Sequence, residues 1–280
     1  FVNAPTKHEC LNLLSIERGK LNSGALVSHE VVTVEGFLLR WIESVRQSLA
    51  GSTVDSYQRN IDKWIKPCFG PVKLQRLDGS HIEKLMASIV KTRSPRLAQY
   101  NRTILRQALR DAMRWGLVSR NVTDLVDSPT PRPAEFVVWD EVQTNAALAA
   151  CEHERLGCIT AIGLMCGMRQ GEILAMQWPD IDFRLHRIHV RRTQSTVGGE
   201  IVLKPPKTKA GKRTVDCSQR LIAMLQKHKS AMLKAGLVKQ PFVFTCPNGN
   251  MLDRFGDVKS HFRRIIATTG NPEMGFHGTR

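Results

Sequence analysis

Long apolar runs are missing from this sequence of 280 residues. Nothing approaches the ~20 consecutive apolar residues that a membrane-spanning helix needs. The stretch from Phe1 onward does not read as a signal peptide either. Membranes are therefore excluded as partners, and a cytoplasmic protein is expected. Metal-binding patterns are absent as well. The seven cysteines stand singly at positions 10, 68, 151, 158, 166, 217 and 246, with no CxxC and no Cys–His cluster at zinc spacing. Isolated thiols in odd number fit a reducing compartment, and Cys158 and Cys166, in apolar surroundings, read as small core residues. His186 and His189 lie three apart in a strand-like run, which puts them on opposite faces. Neither a metal site nor a cofactor is expected. Acids are scarce: 25 against 41 lysines and arginines leave a formal charge of +16 and a pI near 10.0. An enzyme of small metabolites has no need of that imbalance, whereas a polyphosphate partner accounts for it. Tyrosine occurs twice, as Tyr57 and Tyr100. No repeat or low-complexity tract is evident. A chain of this length has room for two domains, each with its own core.

What is present centres on Cys166–Asp182, CGMRQGEILAMQWPDID. The preceding Cys158–Met165 carries no charge and predicts a helix buried all round. Gly167 suits the left-handed C′ position that ends such a helix. Arg169 then opens a second segment, Gln170–Gln177, with Ile173, Leu174 and Met176 on its apolar face. An arginine at a helix start opposes the macrodipole and, if buried, must be paired. Two readings remain open. Backbone N–H groups and a guanidinium pointing one way suit an anion; an Arg169–Glu172 ion pair would instead tie one turn to the next.

The rest of the chain falls on either side of a proline-rich stretch, Ser128–Glu135, which reads as a semi-rigid linker. Before it come a short helix in Thr6–Lys20 and a loop at Asn22–His29, followed by four helices. Thr33 caps the first, with Phe37, Leu38, Trp41, Ile42 and Val45 inward. Ser52 is expected to cap the second, which carries Val54, Tyr57, Ile61, Trp64 and Ile65 and closes at Pro67 and Gly70-Pro71. Asp78 or Ser80 starts the third, with Ile82, Leu85, Met86 and Ile89 inward. Ser94-Pro95 opens the longest, which runs through Trp115 to Gly116. Arg102, Arg106 and Arg110 recur on that helix at i, i+4 and i+8. A solvated face is the commoner fate of such a stripe, but in a chain of this charge it equally fits a DNA backbone. After the linker, Asp140 caps a new helix. Arg187–Arg192 and Glu200–Leu203 are strand-like around a Gly198-Gly199 turn, and a basic turn, Lys207–Lys212, leads into a third strand, Arg213–Cys217. Helices at Gln219–Lys234 and Asp257–Thr268 follow, and the sequence closes on His277-Gly278-Thr279-Arg280.

The run G-M-R-Q-G-E-I-L-A-M-Q-W-P-D-I-D resembles the first conserved box of the tyrosine recombinases, the phage-integrase family, approximately G-[LM]-R-x-x-E-[IL]-x-x-L-x-W-x-D-[IV]-D, with Met176 where Leu is usual. His277-Gly278-Thr279-Arg280 matches the family's second box, H-x-x-R, at the place expected. G-S-T-V-D-S-Y-Q-R-N-I-D-K-W-I, F-G-P-V-K-L-Q-R-L-D and the arginine-bearing helix resemble its core-binding domain in the usual order. The likeness covers Thr33 to Arg280. It implies two domains: an all-α core-binding helical bundle at 31–128, and a mixed α/β, mainly helical catalytic domain with a small antiparallel sheet at 136–280. Residues 129–135 would be the linker and 1–30 the remnant of an N-terminal module.

By this resemblance Arg169 and Arg280 hold the scissile phosphate, Lys209 protonates the leaving 5′-oxygen, and His277 acts on the nucleophile's proton or braces the phosphate. Lys207 and Lys212 compete with Lys209 or contact phosphate only, and Glu172 fixes the geometry. Asp216 departs from the pattern, which has proline there. The partner is double-stranded DNA, with a homotetramer working on it, and the setting is bacterial or phage-encoded, at the nucleoid. The implied activity is site-specific recombination or integration through a 3′-phosphotyrosine, without metal or ATP. The family's tyrosine follows H-x-x-R and has no counterpart here, so both ends look cut and the chain is expected to bind DNA without cutting it. A non-catalytic DNA-binding remnant and a type IB topoisomerase-like enzyme are the alternatives.

Overall fold

The computed structural model describes residue 6, residues 8–11, 31–131, 137–206, 208–237, 241–253 and 255–279. The chain divides into two compact units, Phe1–Pro133 and Ala134–Arg280. In the part of Thr6–Lys20 that is described, 8–11 are helical.

The first unit is helical. α1, Val34–Val45, is capped by the Thr33 side chain, which accepts from the Gly36 N–H at 3.2 Å, and it buries Phe37, Leu38, Trp41, Ile42 and Val45 as expected. α2, Gly51–Asn60, corrects the expected cap: Ala50 stands at its N-terminus and no side chain caps it. The carbonyl of Ala50 already accepts from Thr53 and Val54, so Ser52 lies inside the first turn. Pro67 does not close this segment. The chain continues through a π-type turn, Ile61–Ile65, into α3, Lys66–Phe69, where proline in a first turn costs no hydrogen bond. α4, Gly79–Thr92, is capped by Asp78, while the Ser80 hydroxyl donates to that same carboxylate. α5, Pro95–Arg114, is capped by Ser94, and Gly116 turns out of it at φ 70°. The buried faces of these helices form one core around Trp41, whose indole N–H donates to Asp111 at 2.8 Å.

The second unit is α/β, with more of its described residues in helices than in strands. α6, Glu141–Cys151, begins with a capping box in which Asp140 and Gln143 each accept from the other's backbone. α7, Gly157–Cys166, is buried through Gly163 and ends in left-handed Gly167 at φ 58°. α8 is shorter than expected, Gln170–Leu174. Met176 and Gln177 leave it for an extended pairing with Phe242 and Val243. The strands then differ from the reading of one sheet with a hairpin at Arg187–Leu203. β1, Ile181–Asp182, β2, Arg187–Val190, and β5, Arg213–Asp216, form one antiparallel sheet in the order β1-β2-β5. β3, Thr193–Val197, and β4, Glu200–Lys204, form a second, joined by Gly198 and Gly199 at φ 60° and 87°. The run from Arg187 breaks at Arg191 and Arg192. The buried carboxylate of Asp180, from the Trp-Pro-Asp turn, draws Arg192 to 2.6 Å and Arg191 to 3.7 Å, and this holds the chain where it passes between sheets. α9, Gln219–Lys234, and α10, Asp257–Thr269, complete the unit. Among the described residues no helix is long and apolar enough to cross a membrane.

Two buried histidines make the second unit acid-sensitive. The His228 Nε2–H on α9 donates to the Val243 carbonyl at 2.8 Å, and the ring lies in the field of Arg155. His261 on α10 is fully buried against Thr160, Glu154 and Arg264. Burial lowers both pKa values, with Arg155 adding to the effect in each case. A folded pKa below the unfolded one means the unfolded chain takes up protons first as pH falls through about 6.5. The stability is present above that pH and declines below it. Melting should therefore come at lower temperature at about pH 5 than at about pH 7, and His261→Asn should flatten the difference. The Glu172 carboxylate, held below the usual range, keeps its contribution through that window and loses it at more acid pH.

Candidate active site

Glu172 is the buried centre of the site, its side chain 3% exposed. Its Oε1 accepts from Arg169 Nη1 at 2.9 Å, and its Oε2 accepts from the Arg169 backbone N–H at 3.0 Å. From β5, Arg213 grips the same carboxylate with both ends of its fork, at 3.2 Å and 2.9 Å. Burial pushes the Glu172 carboxyl upward, but the bonds from Arg213 and Arg169 outweigh it and hold the group below its usual range. The ion-pair reading of Arg169 and Glu172 is thus realised. Glu172 takes the Arg169 N–H, so of the donors that the anion reading invoked at Arg169 it is the guanidinium that stays open to solvent. Yet the pair does not bury the arginine. Arg169 keeps 51% of its side chain exposed and Arg213 28%, so one carboxylate braces two cations and the cluster remains net positive.

The local sequence explains how these elements meet. Gly167 reverses the chain so that Arg169 follows α7 at once. Gly171 lets β3 approach α8: a Cβ there would stand 2.7 Å from the Gln194 carbonyl oxygen and from Thr193 Oγ1. β2 and β5 pair with Val190 opposite Arg213, which fixes where that arginine leaves the sheet. Arg187 meets Asp216 across the same ladder at 2.8 Å, so the residue that departs from the family pattern serves as a cross-strand ion pair.

The basic turn lies between β4 and β5, and Lys209–Gly211 form a single 3-10 turn within it. Lys207 and the Lys209 side chain lie outside the described residues. Lys212 is exposed. Arg213 Nη1 also reaches the Gly211 carbonyl at 3.4 Å, so the residue that clamps Glu172 also holds the turn that carries Lys209.

His277 sits in a second 3-10 turn, Phe276–Thr279. That turn is fastened to α7, where a Cβ on Gly163 would come within 2.6 Å of Thr279 Oγ1. Phe276 packs edge-on to Phe262, whose other neighbour Trp139 donates to the Pro272 carbonyl at 3.0 Å. Asn271 adds a bond to the Gln143 carbonyl at 2.8 Å. His277 and Gln170, the residue after Arg169, line one cleft of about 490 Å³ together with Lys259 and Arg263 of α10. Arg280 lies outside the described residues.

In the first unit the arginine stripe is altered. Arg102 leaves it: its Nη2 donates to the carbonyls of Thr123 and Val126 at 2.7 Å and 2.9 Å, tying the segment after α5 to the helix. Arg106, Arg110 and Arg114 line a common groove of about 410 Å³. Arg106 is paired with exposed Asp124, and Arg114 with the partly buried Asp111. Neither tyrosine belongs to the unit that carries Arg169. Tyr57 is buried and donates to Gln107 at 3.0 Å, and the Tyr100 hydroxyl meets Ser56 at 3.0 Å.

Comparison with known proteins decides the family. The phage integrase family pattern matches residues 138–280, and the phage integrase N-terminal SAM-like domain matches 33–89. The chain belongs to the phage integrase family. It is 26% identical to a tyrosine recombinase XerC-like protein of Caldanaerobacter subterraneus subsp. tengcongensis, over 93% of this chain and 73% of that protein. It is also 26% identical to an integrase of a mycobacterial phage, over 89% of this chain and 66% of that protein. Among solved structures, the integrase of transposon Tn1549 in complex with transposon right end DNA superposes with a TM-score of 0.76 at 17% identity, covering 89% of this chain and 84% of that one. A lambda integrase tetramer bound to a Holliday junction gives 0.67 at 17% identity, covering 100% and 82%. At these identities the structural likeness is one of fold.

Sequence reasoning missed Arg213, Lys259 and Arg263. The first was readable only as a strand residue, since its partner Glu172 lies 41 positions away. The other two sit on an amphipathic helix whose exposed face gave no sign of which cleft it borders.

Proposed function

We propose that this integrase-family chain binds double-stranded DNA and supplies the phosphate-activating part of a site for strand cleavage and rejoining. The observation that carries the reading is the Glu172-braced pair of Arg169 and Arg213, with the His277 turn fastened to the helix that precedes Arg169. In the proposed reaction a tyrosine attacks the scissile phosphate, forming a 3′-phosphotyrosine and releasing a 5′-hydroxyl. Arg169 and Arg280 would hold the non-bridging oxygens as charge builds on them, where fixed cations act most strongly. Lys209 would protonate the leaving 5′-oxygen, with Lys207 and Lys212 on neighbouring phosphates, and His277 would serve the tyrosine proton or the phosphate. The phosphodiester energy is kept in the protein–DNA ester, so the scheme calls for neither metal nor ATP. Both tyrosines of these 280 residues are engaged in the first unit's helices. Residues 1–280 by themselves are therefore proposed to bind without cleaving, with recombination performed by a homotetramer that has a tyrosine to offer. Relatives of the same fold solved on DNA, one of them as a tetramer, support this reading.

Binding is the direct test. Log affinity for duplex DNA plotted against log salt should fall steeply, by about 0.9 for each phosphate contacted. Arg110→Ala and Arg114→Ala should each flatten the slope by about one unit while leaving the fold intact. Arg102→Ala should behave differently, loosening the segment at Thr123–Val126 and lowering the melting temperature. An affinity indifferent to salt would remove the nucleic-acid reading.

A further inference from the structure

Two cysteines converge beside the arginine cluster from elements that are far apart in sequence. Cys166 is the last residue of α7, three positions before Arg169. Cys217 follows β5, the strand that begins with Arg213. Their sulfurs stand 3.9 Å apart, and both residues are partly open to solvent. The Cys217 N–H is fixed to the His186 carbonyl at 2.8 Å, so its side chain is presented from a settled backbone. We propose that Cys166 and Cys217 form a redox-responsive thiol pair that closes into a disulfide on meeting a low-molecular-weight disulfide, cross-linking the helix that leads into Arg169 to the strand that carries Arg213.

The exchange takes two steps. A hydrogen bond from Cys217 lowers the Cys166 pKa and favours its thiolate, the attacking form. Cys68, Cys151, Cys158 and Cys246 are shifted the other way, mainly by burial, with Cys151 and Cys158 pushed up to about 12. The Cys166 sulfur attacks one sulfur of the small disulfide, forms a mixed disulfide and expels one thiolate, which takes a proton. Cys217 is raised by its bond to Cys166, by burial and by the charge on that sulfur. Bond and charge both vanish once Cys166 is capped. Cys217 can then lose its proton and attack the Cys166 sulfur, releasing the second small thiol. One disulfide is reduced to two thiols and one protein dithiol is oxidised, so the exchange balances. Closure needs the sulfurs to move from 3.9 Å to about 2.05 Å. The bond would close a loop across the Arg169 box and both sheets, which restricts the unfolded chain and stabilises the fold.

The test uses the whole chain and oxidised glutathione as the probe. After alkylation and digestion without reductant, a peptide pair joined through Cys166 and Cys217 is expected, lighter by two hydrogens and restored by dithiothreitol. Cys217→Ser should trap glutathione on Cys166, and Cys166→Ser, which removes the sulfur that Cys217 would join, should abolish the 166–217 link. The oxidised protein should melt several degrees higher than the reduced form. Absence of the 166–217 link, pairing spread over Cys68 or Cys246, failure of Cys217→Ser to trap glutathione, or a lower melting temperature on oxidation would each overturn the proposal. The serine variants change one atom, and circular dichroism of each reduced variant checks that it has folded.

Discussion

Glu172→Ala is expected to destabilise the second unit by about 3 kcal/mol, the low end of what removing one partner from a buried ion pair costs. The wild-type carboxylate accepts three bonds from side chains and one from the Arg169 backbone. Without it two guanidinium groups face each other across a cavity, and the Arg169 N–H loses its acceptor. The cost stays at the low end because Arg169 and Arg213 are partly exposed and can turn toward water. Glu172→Gln should cost less, since the amide keeps the shape and one acceptor. Equilibrium urea unfolding gives the total, and amide exchange along α7, α8 and β5 shows whether the loss is local to the site. A cost under about 1 kcal/mol, typical of exposed pairs, would mean that Glu172 does not organise the cluster.

Glu172 also shows how far the sequence could be read. Its pairing with Arg169 follows from an i,i+3 spacing and a helix start, both visible in one dimension. Arg213 completes the clamp through a sheet register that no local pattern encodes. The same contrast runs through the fold. The helices of the first unit were legible because each apolar stripe repeats every three or four residues, and Thr33, Asp78 and Ser94 cap where a polar oxygen precedes such a stripe. Ser52 misled because a suitable cap residue stood two places inside a helix whose first carbonyl was already engaged. The β region was read too simply because its division into two sheets depends on Asp180, which acts on Arg191 and Arg192 from outside the strands. Arg102 belonged by spacing to a DNA-facing stripe, yet two carbonyls beyond the helix claim it. Charge patterns mark the helix face on which an arginine starts, and tertiary contacts decide where its fork ends.

Arg169→Ala should separate chemistry from binding. In the protein extended past Arg280 so that a tyrosine is supplied, covalent adduct on a nicked or suicide DNA substrate should form without added metal or ATP. Losing one preorganised donor to a developing charge typically costs about 10²–10³ in rate, and an arginine that contacts the phosphate with two N–H groups should cost at least that. Duplex affinity should fall far less, since the basic groove of Arg106, Arg110 and Arg114 proposed to meet the DNA backbone is untouched. The substitution spares the fold better than Glu172→Ala does, because Arg213 still pairs with the carboxylate through both oxygens. Arg169→Lys discriminates further. It restores the charge but not the fork, so a small recovery of adduct identifies geometry as the missing element, and a full recovery identifies charge alone. Adduct yield unchanged in Arg169→Ala, or yield and affinity falling in equal proportion, would refute the role given to Arg169. The first result would place the phosphate elsewhere. The second would make Arg169 one more backbone contact rather than a residue that acts on the transition state.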